Sequence, residues 1–251
     1  MSGHSKWASI KHKKGAADKK RGVLFSKLSR AIIVAARDGG PDPSGNLALA
    51  NAIEKAKSYS MPKDNIDRAI ARGSGADADA AAYETVIYEG YGPEGVAVLV
   101  EALTDNRNRT AADVRSAFAK NDGNLGSTGA VAWLFERRGR VLVPAEGADE
   151  DELTLAAAEG GAEDVSRDGD VYEVIADPEA LVSVREAVEA AGFSVEDADV
   201  TMIPKTTVAI DDESSARKLV RLIEALEEND DVQDVYANFD IPERVLEAAA
   251  S

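Results

Sequence analysis

The residues that could do chemistry in this chain are mainly lysines and arginines, and they are concentrated near its beginning. Within the first 37 residues the only acid is Asp18, and the basic side chains number ten: Lys6, Lys11, Lys13, Lys14, Lys19, Lys20, Arg21, Lys27, Arg30 and Arg37. This segment therefore has a net charge of +9, and since the whole chain of 251 residues carries −17, the remainder carries −26. Such a basic block attracts a polyanion, which in a cell is usually nucleic acid.

A solvated tail that only aids solubility is the alternative interpretation of these charges. Six apolar residues that such a tail would not need interrupt the run: Trp7, Ile10, Val23, Leu24, Phe25 and Leu28. The indole could stack on a nucleobase, or it could anchor the segment to neighbouring helices, and both roles fit the sequence. We predict that the segment binds nucleic acid through His4, Lys6, Trp7, Lys11, His12, Lys13, Lys14, Lys19, Lys20, Arg21, Lys27 and Arg30.

Catalysis needs a nucleophile, a general acid and base, or a metal cluster, and the sequence offers little to build one. His4 and His12 are the only histidines, and their spacing matches no metal-binding motif such as HExxH. Cysteine is absent, which excludes disulfides and thiolate metal sites. Carboxylate runs at 149–152 and 211–213 stand where helices are predicted to begin, so complementing the helix dipole accounts for them. We expect no enzyme activity, no catalytic residues, no cofactor and no metal.

A second candidate anion site is the peptide 106–110, Asn-Arg-Asn-Arg-Thr, which directly precedes a predicted helix. Arg107 and Arg109 could hold an anion or RNA together with the backbone N–H groups of the helix N-terminus. Alternatively, the asparagines cap the helix and the arginines pair with acidic neighbours. Both interpretations fit the sequence.

The basic segment leads into a predicted bundle of three short helices within residues 22–73. Apolar residues recur from Leu24 onward at the spacing that gathers one face of a helix. The small, polar stretch 73–79 lacks periodicity and predicts a linker. We therefore predict a first domain at residues 1–75, formed by the basic arm and the three-helix bundle.

Beyond the linker the pattern changes to strands. Residues 86–91, 96–103 and 131–135 predict strands, and the second of these is apolar on both faces. Residues 138–203 then show the order strand, helix, strand, strand, helix, strand, with a hairpin turn at Asp168-Gly169. That order is the ferredoxin-like βαββαβ arrangement.

The segment 204–242 predicts a strand, an amphipathic helix and a final strand that lack a partner of their own. They would complete the sheet that begins near residue 86, so residues 82–137 plus 204–242 form one predicted α/β domain and 138–203 are inserted into it. The predicted fold class is α+β: a helical N-terminal bundle followed by two α/β (ferredoxin-like) domains, one inserted in the other.

No apolar run approaches the roughly eighteen residues of a membrane span, and the N-terminus lacks the apolar region of a secretory signal. We expect a cytoplasmic protein without membrane contacts, whose acidic α/β domains could contact a protein partner.

Several unusual peptides of this chain resemble the signatures of the YebC/PmpR family, in the same order and over essentially the full length. They lie at residues 3–7, 10–14, 18–22, 61–66, 88–93, 103–110, 123–126 and 131–135, and the resemblance is weakest in the acidic segment 145–200.

The resemblance implies a helical domain and two α/β domains, one inserted in the other. It also implies a function in gene expression, because members of this family are described as probable transcriptional regulators that bind DNA. Other members, including mitochondrial relatives, are described as translation factors that act on the ribosome where proline-rich stretches stall synthesis. DNA is therefore the expected partner, and ribosomal RNA within the ribosome is the alternative.

Overall fold

The computed structural model of the protein describes residues 18–76 and 83–250. The first of these ranges contains three helices, α1 (Asp18–Gly39), α2 (Leu47–Ser58) and α3 (Lys63–Ala71), followed by a π-helical turn (Arg72–Ala76). The Asn46 side chain caps α2 by accepting a hydrogen bond from the Leu49 N–H at 3.1 Å. The three helices enclose a small apolar core of Leu28, Ile32, Ile33, Ala36, Leu49, Ala56, Met61, Ile66 and Ala69. The predicted helical bundle is confirmed.

The predicted linker at 73–79 is in part packed structure. Residues 72–76 form the π-helical turn, and a Cβ added at Gly73 would lie 2.2 Å from the Ile33 carbonyl oxygen and 2.9 Å from the Ala36 Cβ. Glycine is present here because the backbone of the turn approaches α1 too closely for any side chain. For residues 73–76 the linker prediction was wrong, and residues 77–79 lie outside the described residues.

Fifteen further helices and strands follow between residues 83 and 250. They are β1 (Glu84–Tyr91), β2 (Ala97–Thr104), α4 (Arg107–Lys120), β3 (Asn124–Leu125), β4 (Phe135–Pro144), α5 (Glu150–Gly160), β5 (Ala162–Asp168), β6 (Val171–Ala176), α6 (Leu181–Ala190), β7 (Asp197–Pro204), β8 (Val208–Ala209), α7 (Glu213–Glu227), β9 (Val232–Ala237), β10 (Phe239–Asp240) and α8 (Glu243–Ala250).

The first sheet has the strand order β3-β1-β2-β9, and every neighbouring pair is antiparallel. The helices α4 and α7 cover one face of it, and Phe118, Leu219 and Leu222 are fully buried in the shared core. Burying each such side chain stabilises the fold by roughly 1.5–3 kcal/mol. The helix α8, which the sequence did not predict, packs on α7 and adds Leu246 to this core.

The second sheet has the order β5-β6-β4-β7 and is also antiparallel throughout. Its first strand, β4, lies between β6 and β7, and α5 and α6 supply buried side chains to the core on one face. The chain leaves the first sheet after β3 and returns to it at β9, so the whole second sheet is an insertion. The predicted fold class is confirmed.

The strand predicted at 131–135 is absent, because residues 132–134 form a 3₁₀ turn and β4 begins only at Phe135. The cause is the buried carboxylate of Glu89, which accepts hydrogen bonds from the N–H groups of Gly129 at 2.6 Å, Val131 at 2.7 Å and Ala132 at 2.8 Å. These N–H groups therefore donate to the Glu89 side chain and not to the carbonyl groups of a neighbouring strand. Burial by itself would raise the pKa of Glu89. The three hydrogen bonds together lower the pKa by more than burial raises it, so the net pKa lies below its ordinary value.

Within residues 18–76 and 83–250, no helix is both long and apolar enough to cross a membrane.

Candidate nucleic-acid interface

Most of the predicted nucleic-acid contacts lie in the segment that precedes α1. Seven of these residues lie outside the part of the chain that the structure describes: His4, Lys6, Trp7, Lys11, His12, Lys13 and Lys14. Lys19 and Lys20 belong to the first turns of α1, but the structure does not describe their side chains. The structure therefore describes the side chains of five predicted site residues: Arg21, Lys27, Arg30, Arg107 and Arg109.

Arg21 lies on the first part of α1 and is exposed. Its guanidinium carbon is 5.5 Å from the centroid of the Phe25 ring, one helical turn further along. Stacking of this kind uses the flat face of the guanidinium and leaves its N–H groups at the edge, where a phosphate can be reached. The exposed position of Arg21 therefore suits an anion contact.

Lys27 and Arg30 make contacts within the protein. The Lys27 ammonium donates a hydrogen bond to the Glu227 carbonyl oxygen at 2.7 Å, at the end of α7. The Arg30 guanidinium donates to the Asp230 carbonyl oxygen and lies 3.3 Å from the Asp231 carboxylate. Both side chains therefore attach α1 to the C-terminal end of α7, where exposed carbonyl groups favour positive charge.

Asp231 is the centre of this attachment and is only 3% exposed. Besides Arg30, it accepts hydrogen bonds from the Arg109 guanidinium at 2.7 Å and the Thr110 hydroxyl at 2.7 Å, and it lies 3.3 Å from the Thr104 hydroxyl. Burial raises the pKa of Asp231, whereas the hydrogen bonds from Arg109 and Thr110 and the charge of Arg30 lower it. The net result is a pKa below the ordinary value, so the buried group is a carboxylate at neutral pH.

The second candidate site, 106–110, is occupied largely by internal contacts. The Asn106 side chain caps α4 by accepting from the Arg109 N–H at 3.1 Å, so the helix begins at Arg107 and both arginines lie in its first turn. The Arg109 guanidinium also binds Asp105 at 2.8 Å, and the two carboxylates it contacts raise its pKa. For Asn106 and Arg109 the structure therefore shows helix capping and ion pairing with acidic neighbours, which was the alternative to anion binding in the sequence analysis.

Arg107 differs from its neighbour. Its side chain is exposed and forms no ion pair with any residue in the ranges 18–76 and 83–250, while its carbonyl oxygen accepts from the Tyr88 hydroxyl at 3.3 Å. Both predicted arginines are exposed, and among the described residues Arg107 is the one of the two whose guanidinium has no ion pair.

Sequence reasoning missed Asp231 and its role. The residue follows Asn229 and Asp230 and resembles an ordinary acidic turn, and its partners are more than a hundred positions away in the sequence. No local pattern connects them. Among the described residues, no group of three or more histidine or carboxylate side chains could hold a metal ion.

Comparison with known proteins gives consistent matches over both described ranges. Residues 5–76 match the TACO1/YebC protein N-terminal domain, and residues 83–239 match the TACO1/YebC second and third domain. A probable transcriptional regulatory protein of Rubrobacter xylanophilus is 59% identical over 250 residues, with 100% of each chain covered. One of Geobacter sulfurreducens, with the same description, is 53% identical over 247 residues, covering 98% of this chain and 99% of the relative.

A solved structure also matches this chain. The crystal structure of a conserved hypothetical protein from Aquifex aeolicus has a TM-score of 0.79 and 52% sequence identity, covering 89% of this chain and 91% of that one. The domain order, the sheet topology and these similarities agree, and the chain belongs to the TACO1/YebC family.

Proposed function

We propose that this protein regulates gene expression by binding nucleic acid through its basic N-terminal segment. The observation that carries the proposal is the segregation of charge, +9 in the first 37 residues against −26 in the rest. An acidic body repels a polyanion except where the basic segment is presented, so the charge distribution both attracts nucleic acid and orients it. The relatives described as probable transcriptional regulatory proteins make DNA the first candidate partner.

The internal contacts of α1 divide the ten cations of this segment into two groups. Lys27, Arg30 and Arg37 bond within the protein, and Arg37 does so with the Asp38 carboxylate and the Tyr83 carbonyl oxygen, each at 2.7 Å. The other seven, from Lys6 to Arg21, precede residue 22. Binding through phosphate contacts should therefore depend on this earlier group.

Salt dependence measures how many of these cations contact phosphate. If about six do, the logarithm of the association constant for duplex DNA should fall with the logarithm of salt concentration at a slope near −5. Between roughly 50 and 200 mM salt, that slope corresponds to a loss of affinity of about 10³-fold. Fluorescence anisotropy of a labelled duplex over this range gives the slope directly.

Charge reversal at Lys11, Lys13 and Lys14 should remove most of this binding. The matched control reverses three exposed lysines elsewhere, Lys57, Lys120 and Lys205, and so changes the net charge of the protein by the same amount. We expect a flattened slope for the first variant and a slope close to the wild-type value for the control. A wild-type slope near zero, or equal losses in both variants, would refute the electrostatic basis of the proposal.

Ribosomal RNA is the alternative partner, with a role as a translation factor. RNA is recognised through shape, stacking and 2′-hydroxyl groups, which suits a basic segment that contains one tryptophan, Trp7. Crosslinking in cells, followed by sequencing of the recovered nucleic acid, separates the two. Recovery of promoter DNA supports transcriptional regulation, recovery of ribosomal RNA supports the translation role, and the Lys11, Lys13 and Lys14 charge reversal should abolish recovery in either case.

A further inference from the structure

The helical domain, residues 18–76, is joined to the rest of the protein mainly through charged side chains. Its apolar core is formed by α1, α2 and α3, and Tyr83, which leads into β1, is the one described residue from beyond the bundle that packs against that core. Within residues 18–76 and 83–250, none of the three helices packs extensively against a helix or strand of the two α/β domains. Domains that share no large apolar interface generally move relative to one another.

Two groups of charged contacts hold the helical domain, and the first of them is buried. On α1, the Arg30 guanidinium bonds to Asp231, which is 3% exposed and also accepts hydrogen bonds from Arg109 and Thr110. Separating Arg30 from such a carboxylate leaves a charge without its partner in a place that water hardly reaches. This attachment should therefore persist as long as the protein is folded.

The second group joins the end of α2 to the inserted domain, and it lies at the surface. The Glu54 carboxylate is 3.8 Å from the Arg185 guanidinium on α6, and the Glu54 side chain is 71% exposed. Exposed ion pairs contribute little to stability, and salt weakens them further. The contact at α2 is therefore much weaker than the attachment at Asp231.

Lys55, the next residue of α2, faces carboxylates of both α/β domains. Asp197 and Asp199 lie on β7 of the inserted domain, and Asp234 lies on β9 of the first sheet. Partial enclosure between these strands lowers the pKa of Lys55, but the three carboxylates raise it by more, so the net pKa lies above its ordinary value. Among the described residues, Lys55 forms no direct ion pair, so the attraction acts across a gap.

The far side of this gap has an excess of negative charge. Four carboxylates and two guanidinium groups lie around it: Glu101, Asp234, Asp197, Asp199, Arg137 and Arg140. Arg140 bonds to both carboxylates of β7, whereas Glu101 lies directly opposite Asp234 on the neighbouring strand and has a pKa raised by burial and by the Asp234 charge. When all four acids are ionised, two negative charges are in excess, and the Lys55 ammonium reduces the excess to one. Lys55 therefore favours a closed gap.

We propose that Glu54 and Lys55, with the charged groups that they face, form an electrostatic latch, and that the helical domain rotates about its attachment at Asp231 when the latch opens. The structure shows the closed state. Since the basic segment leads into α1, opening the latch changes where that segment is presented to a polyanion. The inference concerns contacts within the protein and does not depend on the proposed function.

The test measures the separation of the helical and inserted domains in the full chain, without nucleic acid. The sequence has no cysteine, so Ala71→Cys and Ala158→Cys, at two exposed and uncharged positions outside the latch, accept spin labels at defined sites. Double electron–electron resonance then gives the populations of the separations. We expect one short separation near 50 mM salt and a second, longer one that becomes populated towards roughly 500 mM, where the screening length falls to about 4 Å.

Variants of α2 assign the effect to the latch. Lys55→Gln removes the ammonium, and the control Lys57→Gln makes the same change of charge at an exposed position of the same helix. At about 150 mM salt, we expect Lys55→Gln to raise the ratio of the long to the short separation about fivefold and Lys57→Gln to raise it less than twofold. Lys55→Arg keeps the charge and should leave the ratio within about twofold of the wild-type value.

Two further measurements separate latch opening from a folding defect and locate the rotation. Helix content and unfolding temperature, followed by circular dichroism, should be unchanged in Lys55→Gln, because its side chain is exposed. Labels at Gly22→Cys and Arg221→Cys lie on α1 and α7, close to the attachment at Asp231. Their separation should change much less with salt than that of the first pair, and an equal change would refute rotation about Asp231.

The remaining outcomes decide whether the latch exists. Separations that do not vary between 50 and 500 mM salt would refute it, and so would equal effects of Lys55→Gln and Lys57→Gln. Neither result bears on salt-dependent DNA binding through Lys11, Lys13 and Lys14, so the latch and the proposed function can fail independently.

Discussion

Replacing Asp231 with asparagine tests the attachment between α1 and the first sheet. Asparagine has nearly the same shape, keeps one acceptor oxygen and loses the negative charge. The variant would leave the Arg30 guanidinium, whose side chain is only 17% exposed, without its carboxylate. We expect α1 to be held less tightly and the protein to be less stable.

The size of the effect follows from the exposure of the partners. Removing one member of a buried, hydrogen-bonded ion pair costs about 3–5 kcal/mol. Arg30 approaches this limit, whereas the Arg109 side chain is 47% exposed, so water replaces most of what it loses. The hydrogen bond from Thr110 can be retained by the asparagine oxygen. The free energy of unfolding should therefore fall by about 3 kcal/mol, which corresponds to a decrease of roughly 6–12 °C in unfolding temperature.

Scanning calorimetry of Asp231→Asn and Asp230→Asn measures this difference. Asp230 is exposed and contributes only its backbone carbonyl to Arg30, so its replacement should change the free energy of unfolding by less than about 0.5 kcal/mol. If Asp231→Asn unfolds at the same temperature as Asp230→Asn, the carboxylate does not hold α1 in place and the reasoning is wrong.

The pH dependence of the same pair gives a second check. The folded pKa of Asp231 lies below its ordinary value, so its stabilising contribution is fully present above the unfolded pKa, near 3.9, and is lost as pH falls through the folded pKa. The stability difference between wild type and Asp231→Asn should be constant near neutral pH and should shrink below about pH 4. A difference that grows on acidification would contradict this assignment.

Two further changes test close contacts seen in the fold. Glu89→Gln should lower the free energy of unfolding by about 2–4 kcal/mol, because an amide cannot accept hydrogen bonds from all three N–H groups of the 129–132 segment. The control Glu84→Gln, on the exposed part of the same strand, should change the free energy of unfolding by less than about 0.5 kcal/mol. Equal unfolding midpoints of the two variants in urea would count against the role of Glu89. Gly73→Ala should destabilise the helical bundle by about 2 kcal/mol or more, because the new Cβ would meet the Ile33 carbonyl oxygen at 2.2 Å, whereas Gly22→Ala meets nothing within 4 Å and should stabilise α1 by about 0.5–1 kcal/mol. Helix content followed by circular dichroism during thermal unfolding measures both glycine variants, and the same sign for the two would refute the steric argument.

Local patterns were sufficient to predict most of the architecture. Helical and strand periodicities are properties of neighbouring residues, so the bundle and the alternation of strands and helices could be predicted from spacing alone. The insertion was also predictable, because an amphipathic helix and a final strand follow residue 204, and that strand, β9, does join the first sheet. The strand predicted before the helix does not: β8 pairs with β10 in a separate two-stranded parallel sheet, so this part of the prediction was wrong. The strand at 131–135 was predicted wrongly because the carboxylate that redirects its N–H groups belongs to Glu89, some forty residues earlier.

The candidate nucleic-acid interface likewise has features that the sequence determines and others that depend on the tertiary structure. The sequence by itself determined that positive charge is concentrated before residue 38 and that the rest of the chain is acidic, since charge depends only on composition and position. Only the tertiary structure decided which of these cations have partners in the protein. Lys27 and Arg30 contact residues about 200 positions away, at the end of α7 and in the turn that follows it, and no local pattern encodes contacts between segments so distant in the chain.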